Sequence, residues 1–215
     1  MYSYLYDSFL SHEKYFRQLS TIETLLIVVV GTDKLVGQVV DTLAKYPEVA
    51  LGIVPLGQPI EIAKNFGIPT DLVGACYLLA NRLIRYVSLG KVNNRYFLYQ
   101  AEVAGQDVIL ECDGNFKIHP TSRSSIKINN ILAPQGELLQ TTVEPRPAGL
   151  LVKRPVSPSV FVSQKVFIDQ PKNKRIKIIA DDEKEVQAPA TVELTGIKLK
   201  IIVGKGKSRE DVVSV

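Results

Sequence analysis

The run LLIVVVG, Leu25 to Gly31, constrains this chain more than any other stretch. Six uninterrupted apolar residues suit a strand buried on both faces, the situation of a parallel strand inside an α/β layer. A helical pattern starts directly after Gly31: Leu35, Val39, Val40 and Leu43 recur at helical spacing as far as Tyr46, and Pro47 stops it. So tight a strand-to-helix turn carries the helix's first unpaired N–H groups, with their partial positive charge, to the end of the strand. Gly31-Thr32-Asp33-Lys34 is therefore a candidate anion-binding corner. The same residues also read as a plain turn in which Thr32 or Asp33 caps the helix and Lys34 is solvated.

The neighbouring segments repeat the alternation. Tyr2 to Phe9 reads as a first strand, and Ser11 caps a helix bearing Phe16, Leu19 and Ile22. Val49 to Val54 is a second apolar strand, closed by Pro55 and Gly57, and a helix follows from about Pro59 to Gly67. Asp71 caps a longer helix with Leu72, Ala75, Leu78, Leu79, Leu83 and Ile84 on its buried side, where Cys76 also reads as core. Residues 1–85 thus predict a small parallel, Rossmann-like α/β domain. After Arg85 the period changes to two, in segments such as RYFLYQAEV, SSIKINNIL, SVFVSQKVFI, ATVEL and KLKIIV, broken by Asn93-Asn94, Asp113-Gly114 and Pro171-Lys172-Asn173. Residues 86–203 predict an antiparallel β-sandwich domain, and residues 204–215 a charged C-terminal tail.

Composition narrows the function classes. A net charge of +4 from 26 basic and 22 acidic residues is too mild to argue for nucleic acid, though it suits an anionic ligand or membrane surface. The basic residues near the C-terminus alternate with apolar ones, as on the outer face of a sandwich. Two cysteines and two histidines, widely scattered, give neither a zinc-ligand spacing nor a disulfide framework and fit a reducing cytoplasm. Apolar runs fall short of the roughly 20 residues that cross a bilayer, and MYSYLYDSF has no signal-type core, so the expectation is a soluble protein.

The order of several short motifs resembles the catalytic region of the diacylglycerol kinase family, bacterial lipid kinases included. That family runs from a GGDGT-like turn to a PLGTGNDFA-like turn, then GIP, then a strand with LG that opens a β-sandwich, then a late DGE. The corresponding stretches here are GTDKLVGQVV at Gly31 to Val40, PLGQPIEIAK at Pro55 to Lys64, GIP at Gly67 to Pro69, SLGKVNNRYF at Ser88 to Phe97, and DDE at Asp181 to Glu183. Departures accompany the matches. Thr32 and Lys34 stand where the family has glycines, Gln58, Pro59, Ile60 and Glu61 replace its threonine, glycine, asparagine and aspartate, and about one N-terminal strand–helix unit is missing.

The resemblance implies an ATP:lipid phosphotransferase fold using Mg²⁺, divergent and shortened. It implies Asp181 as the base with Glu183 beside it, nucleotide binding by Gly31, Thr32, Asp33, Lys34, Gly57 and Gln58, and metal binding by Asp33, Glu61 and Glu183. Nucleotide and lipid are the implied ligands, in the cytoplasm or peripherally at its membrane, and a homodimer stays open. Two rivals are a catalytically silent relative that binds nucleotide, lipid or a partner, and a NAD-kinase-like activity, since that family shares the GGDG turn. Without the resemblance, Glu61 reads as a surface carboxylate in a first helical turn and Asp181 to Glu183 as a solvated hairpin turn.

Overall fold

A computed structural model describes residues 25–104, 108–120, 122–130, 138–146, 157–171, 175–181, 183–204 and 212–214. The strand and helix expected before Leu25, and Asp182, lie outside the described residues.

Strand β1 (Leu26–Gly31) pairs in parallel with β2 (Ala50–Pro55), Leu26 opposite Ala50 and Gly31 opposite Pro55. Helix α1 (Asp33–Leu43) connects them, as a parallel crossover requires. The short α2 (Glu61–Asn65) and then α3 (Leu72–Asn81) follow. Val36, Val40 and Leu43 of α1 pack with Val29, Leu51, Ile53 and Phe66, while Leu78 and Leu79 of α3 pack with Leu26 and Ala50. Strand β2 is buried throughout, but β1 is not the two-face-buried strand its sequence suggests, for Val28 and Val30 are 42% and 51% exposed.

Two helical phases differ from the sequence reading. Val36 and Gly37, not Leu35, are the buried positions of α1, and Leu35 is exposed, because Gly37 is turned toward Asp181 and Glu183, which follow β12 in the chain. Asp71 caps α3 as expected, its Oδ1 accepting from the Gly74 N–H at 2.7 Å, but the helix stops at Asn81. Arg82 takes a left-handed conformation there, and Leu83 and Ile84 open strand β3 (Leu83–Val92) instead of continuing a helical face. Leu72 is 63% exposed and Cys76 is exposed too, since only the Ala75, Leu78 and Leu79 side of α3 meets the sheet.

The remaining strands are β4 (Arg95–Phe97), β5 (Gln100–Ala104), β6 (Ile109–Cys112), β7 (Phe116–Ile118), β8 (Ser124–Asn129), β9 (Leu139–Pro145), β10 (Ser159–Ser163), β11 (Lys165–Asp169), β12 (Lys177–Ala180), β13 (Lys184–Gln187), β14 (Ala190–Ile202) and β15 (Val212–Ser214). Six of them form one antiparallel sheet, β10-β9-β8-β5-β12-β13. Across from it, β14 is the spine of a mixed sheet. One of its edges carries β3 throughout; the other carries β11 against its first half and, in parallel, β2 at Lys200 and Ile201. The segments ATVEL and KLKIIV are thus one strand with an irregularity between Leu194 and Lys198. Through β14 the parallel α/β layer and the sandwich share a sheet, so the second core, with Phe97, Leu110, Ile126, Ile128, Val166, Ile178 and Val192, lies beside the first. The fold is therefore a mixed α/β layer joined to a second antiparallel sheet.

Candidate functional site

Parallel pairing of β1 and β2 puts their carboxyl ends side by side, so the loops after Gly31 and after Pro55 are neighbours. The Leu56 N–H bonds the Gly31 carbonyl at 2.9 Å and the Asp33 N–H bonds the Pro59 carbonyl at 2.9 Å. A crevice outside the carboxyl ends of parallel strands is the usual ligand position in such sheets. Gly57, at φ +90°, brings the second loop so near the first that a Cβ there would sit 3.1 Å from the Thr32 methyl. The side chain at Thr32 therefore narrows the space between the two turns.

Asp33 stands in the first turn of α1 but turns to α2: its carboxylate accepts from the Glu61 N–H at 2.5 Å and from the Ile62 N–H at 3.2 Å, and it is buried. Those are orphan donors of a helix start, so the chain's own carboxylate fills the anion position at α2. Glu61 itself points outward and pairs with Lys64, one turn along, at 2.7 Å.

The third segment comes from the far end of the sequence. The turn between β12 and β13 packs against α1 because Gly37 has no side chain: a Cβ there would lie 2.9 Å from the Asp181 Cβ and 3.0 Å from its carbonyl oxygen. On the same helix face, Lys34 and Gln38, four residues apart, both reach Glu183. Lys34 Nζ lies 3.1 Å from one carboxylate oxygen and Gln38 Nε2 donates to the other at 3.0 Å. Partial burial works to raise the Glu183 carboxyl, but the hydrogen bonds from Gln38 and Lys34, with the charges of Lys34 and Lys184, outweigh it and hold it below the ordinary glutamate range.

Asp181 has a different environment. Its Oδ2 accepts from the Leu98 N–H at 2.6 Å, and its Oδ1 from the Tyr99 and Gln100 N–H groups at 2.9 and 3.1 Å, with only 1% of the residue exposed. These amides point at a carboxylate, not along a ladder, which explains why RYFLYQAEV splits into β4 and β5. Burial pushes the Asp181 carboxyl up to about 6, and the three amide hydrogen bonds and Lys184 only partly oppose it.

Sequence reasoning missed a second layer. Lys184, almost wholly buried, donates to the Tyr96 carbonyl at 2.5 Å and pairs with Asp41 Oδ1 at 3.2 Å. Burial lowers its pKa against the pull of Asp41 and Asp181. Asp41 also accepts from the Tyr96 N–H at 2.9 Å and lies 3.4 Å from Arg95. Asn130 Nδ2 ties the Ser88 and Leu98 carbonyls together. Lys34, Gln38 and Asp41 follow one another at helical intervals on α1, which was the available signal, but nothing in the chain marks their partners, over fifty positions away.

The structure thus brings Lys34, Gln38 and Glu183 together, sets Asp33 against Glu61 through the latter's backbone, and directs Asp181 into the interior. Of the residues expected to bind nucleotide, Gly31 ends β1, Thr32 precedes α1, and Gly57 and Gln58 follow β2. Those expected to hold Mg²⁺ do not fit the ion. Asp33 faces amides, Glu61 and Glu183 are each paired to a lysine, and among the described residues no three His, Cys, Asp or Glu side chains gather around one point.

Residues 5–92 match the diacylglycerol kinase catalytic domain. A diacylglycerol kinase of Staphylococcus haemolyticus is 32% identical over 74 residues, 34% of this chain and 22% of that protein. One from Staphylococcus aureus is 31% identical over 74 residues, 34% of this chain and 24% of its own length. The matched stretch thus spans under a quarter of these relatives. The crystal structure of a diacylglycerol kinase from Bacillus anthracis superposes with a TM-score of 0.72 at 17% identity, over 91% of this chain and 81% of that one, which shows a shared fold. Among the described residues, no helix is long and apolar enough to cross a membrane.

Proposed function

Because residues 5–92 of this chain match the diacylglycerol kinase catalytic domain, we propose that it has the lipid-kinase fold with impaired or absent phosphotransfer chemistry. One observation carries the reading. Asp181, which the family order makes the base, is buried among three backbone N–H groups that hold its carboxylate in place. A base must reach the proton it removes, within about 3 Å or through one water. Held as it is, Asp181 positions the β4–β5 connection. Glu183 is already neutralised by Lys34.

In this reading a phosphate-bearing ligand binds between the neighbouring loops after β1 and β2. Residues 1–85 then form the nucleotide side and residues 86–203 the lipid side, while of the expected tail Val212–Ser214 is instead a strand paired with β3. ATP is the expected nucleotide, bound loosely because Thr32 and Lys34 carry side chains where close backbone approach needs glycine. A lipid hydroxyl at the cytoplasmic membrane surface is the expected acceptor chemistry of any residual activity.

The test is direct. Purified protein is incubated with Mg²⁺, labelled ATP and diacylglycerol vesicles, and transfer is compared with an Asp181→Asn control. Equal, background-level transfer is the expected result; transfer well above the control overturns it. Thermal shift with ATP and ADP separates a nucleotide-binding relative from one that binds only lipid or a partner, because a ligand at about 100 times its Kd stabilises by about 2.7 kcal/mol. NAD in place of lipid tests the NAD-kinase-like alternative in the same assay.

A further inference from the structure

We infer that Lys34 takes over the part of a cation at this site, so that Glu183 is a lysine-neutralised carboxylate and the site does not recruit a divalent ion. The inference rests on the lipid-kinase reading, which is what leads one to expect Mg²⁺ here.

Geometry carries it in three steps. Both oxygens of Glu183 are occupied, one by Lys34 Nζ at 3.1 Å and the other by Gln38 Nε2 at 3.0 Å, and both donors come from the same face of α1. The distance between that face and the turn is fixed, because a Cβ at Gly37 would lie 2.9 Å from the Asp181 Cβ and 3.0 Å from its carbonyl oxygen. The arrangement is therefore part of the helix–turn packing and not a chance meeting of two flexible side chains. Third, the other acidic groups expected around a metal are elsewhere engaged, Asp33 by the Glu61 and Ile62 amides and Glu61 by Lys64.

A divalent ion reaching Glu183 would have to displace the ammonium and then remain within a few ångströms of it. Like charges that close repel even in water. The residue responsible is one of the two that replace glycine in the first turn, so a single position both adds a side chain beside the crevice and supplies its positive charge. The hydrogen bonds from Gln38 and Lys34 also favour the ionised form of Glu183, which keeps the pair intact.

Mn²⁺, read by the loss of its free-ion electron paramagnetic resonance signal, is the probe. It is titrated into the full chain without nucleotide or lipid, as wild type, Glu183→Gln, Lys34→Ala and the double variant Lys34→Ala with Glu183→Gln. Lys34 is more than half exposed, so its truncation is compatible with folding, and circular dichroism checks this. The expected result is that wild type leaves Mn²⁺ free into the millimolar range. Lys34→Ala then gains one site, about tenfold or more tighter, from the removed repulsion and ion pair, and the double variant loses it. A stoichiometric site in wild type that Glu183→Gln abolishes overturns the inference, as does Lys34→Ala binding no tighter than wild type. Transfer activity is not read here, so an active kinase would sink the functional reading while leaving this result to stand or fall alone.

Discussion

Replacing Asp181 by Asn will have an effect on stability that changes with pH. The carboxyl rises from 3.8 to about 6 on folding, because burial outweighs the amide hydrogen bonds and Lys184. The folded state therefore holds this proton more tightly than the unfolded chain. Its contribution is fully present below about pH 4 and is lost as pH climbs through about 6. A rise of roughly two units corresponds to about 3 kcal/mol across that window. The Asp181→Asn side chain does not titrate, and its single carbonyl oxygen can still accept from the Tyr99 and Gln100 amides while its NH₂ faces the Leu98 N–H. One buried N–H left unpaired costs about 1–3 kcal/mol. At about pH 4 the wild type will be more stable by roughly that amount; by about pH 7 it has lost about 3 kcal/mol relative to the variant, and the two will be level or reversed. Urea unfolding of both proteins at half-unit pH steps, followed by circular dichroism, gives the difference directly. Subtracting the two curves cancels the titrations they share, Glu183 and Lys184 included. A difference that stays flat between about pH 4 and 7, or that grows in favour of wild type as pH rises, would refute the reasoning, since either means that the amides win over burial.

Two further outcomes test the packing. Gly37→Ala will lower stability by about 1–2 kcal/mol even though alanine favours helix, because its Cβ would meet Asp181 at 2.9 Å; Gly196→Ala, with nothing within 4 Å, will stay within about 0.5 kcal/mol. Denaturant midpoints check both, and equal effects at the two glycines would contradict the close approach. In native protein a maleimide will modify exposed Cys76 and spare Cys112, which is buried and whose thiol burial and Asp113 push up to about 11; two adducts forming at similar rates by mass spectrometry would count against this placement.

The sequence makes β1, β2 and α1 legible because each carries its own signal: an apolar run, a turn glycine, a helical period. Phase is less legible. Leu35 and Val36 are both apolar, and the choice between them is made by Gly37 meeting a turn that lies more than 140 residues away. Leu83 and Ile84 continue a helical pattern on paper, yet Arg82 leaves the helix and they enter β3, where β14 supplies a better partner than one more turn would. The landmarks of the site were readable as an order of motifs. The state of each acidic residue was not, since it is set by donors such as the Leu98 to Gln100 amides, which no single-sequence pattern marks.

Four carboxylates of similar intrinsic acidity end in three kinds of environment. Asp33 and Asp181 are buried against amide dipoles, Glu61 is exposed beside its own helix's lysine, and Glu183 is held half-open by Lys34 and Gln38. Charge near a crevice has to be balanced by something, and here the balancing groups belong to the chain. Two of them sit on one face of α1. Lys34 and Gln38 hold Glu183, Gly37 admits the turn, and Asp41 holds Lys184 and the Tyr96 N–H. The helix packs the first core with Val36, Val40 and Leu43, and with its opposite face it sets the geometry of the turn between β12 and β13. Substitutions on that polar face will therefore reshape the turn before they reach the core, and any chemistry left at Glu183 depends on α1 as much as on the turn that carries it.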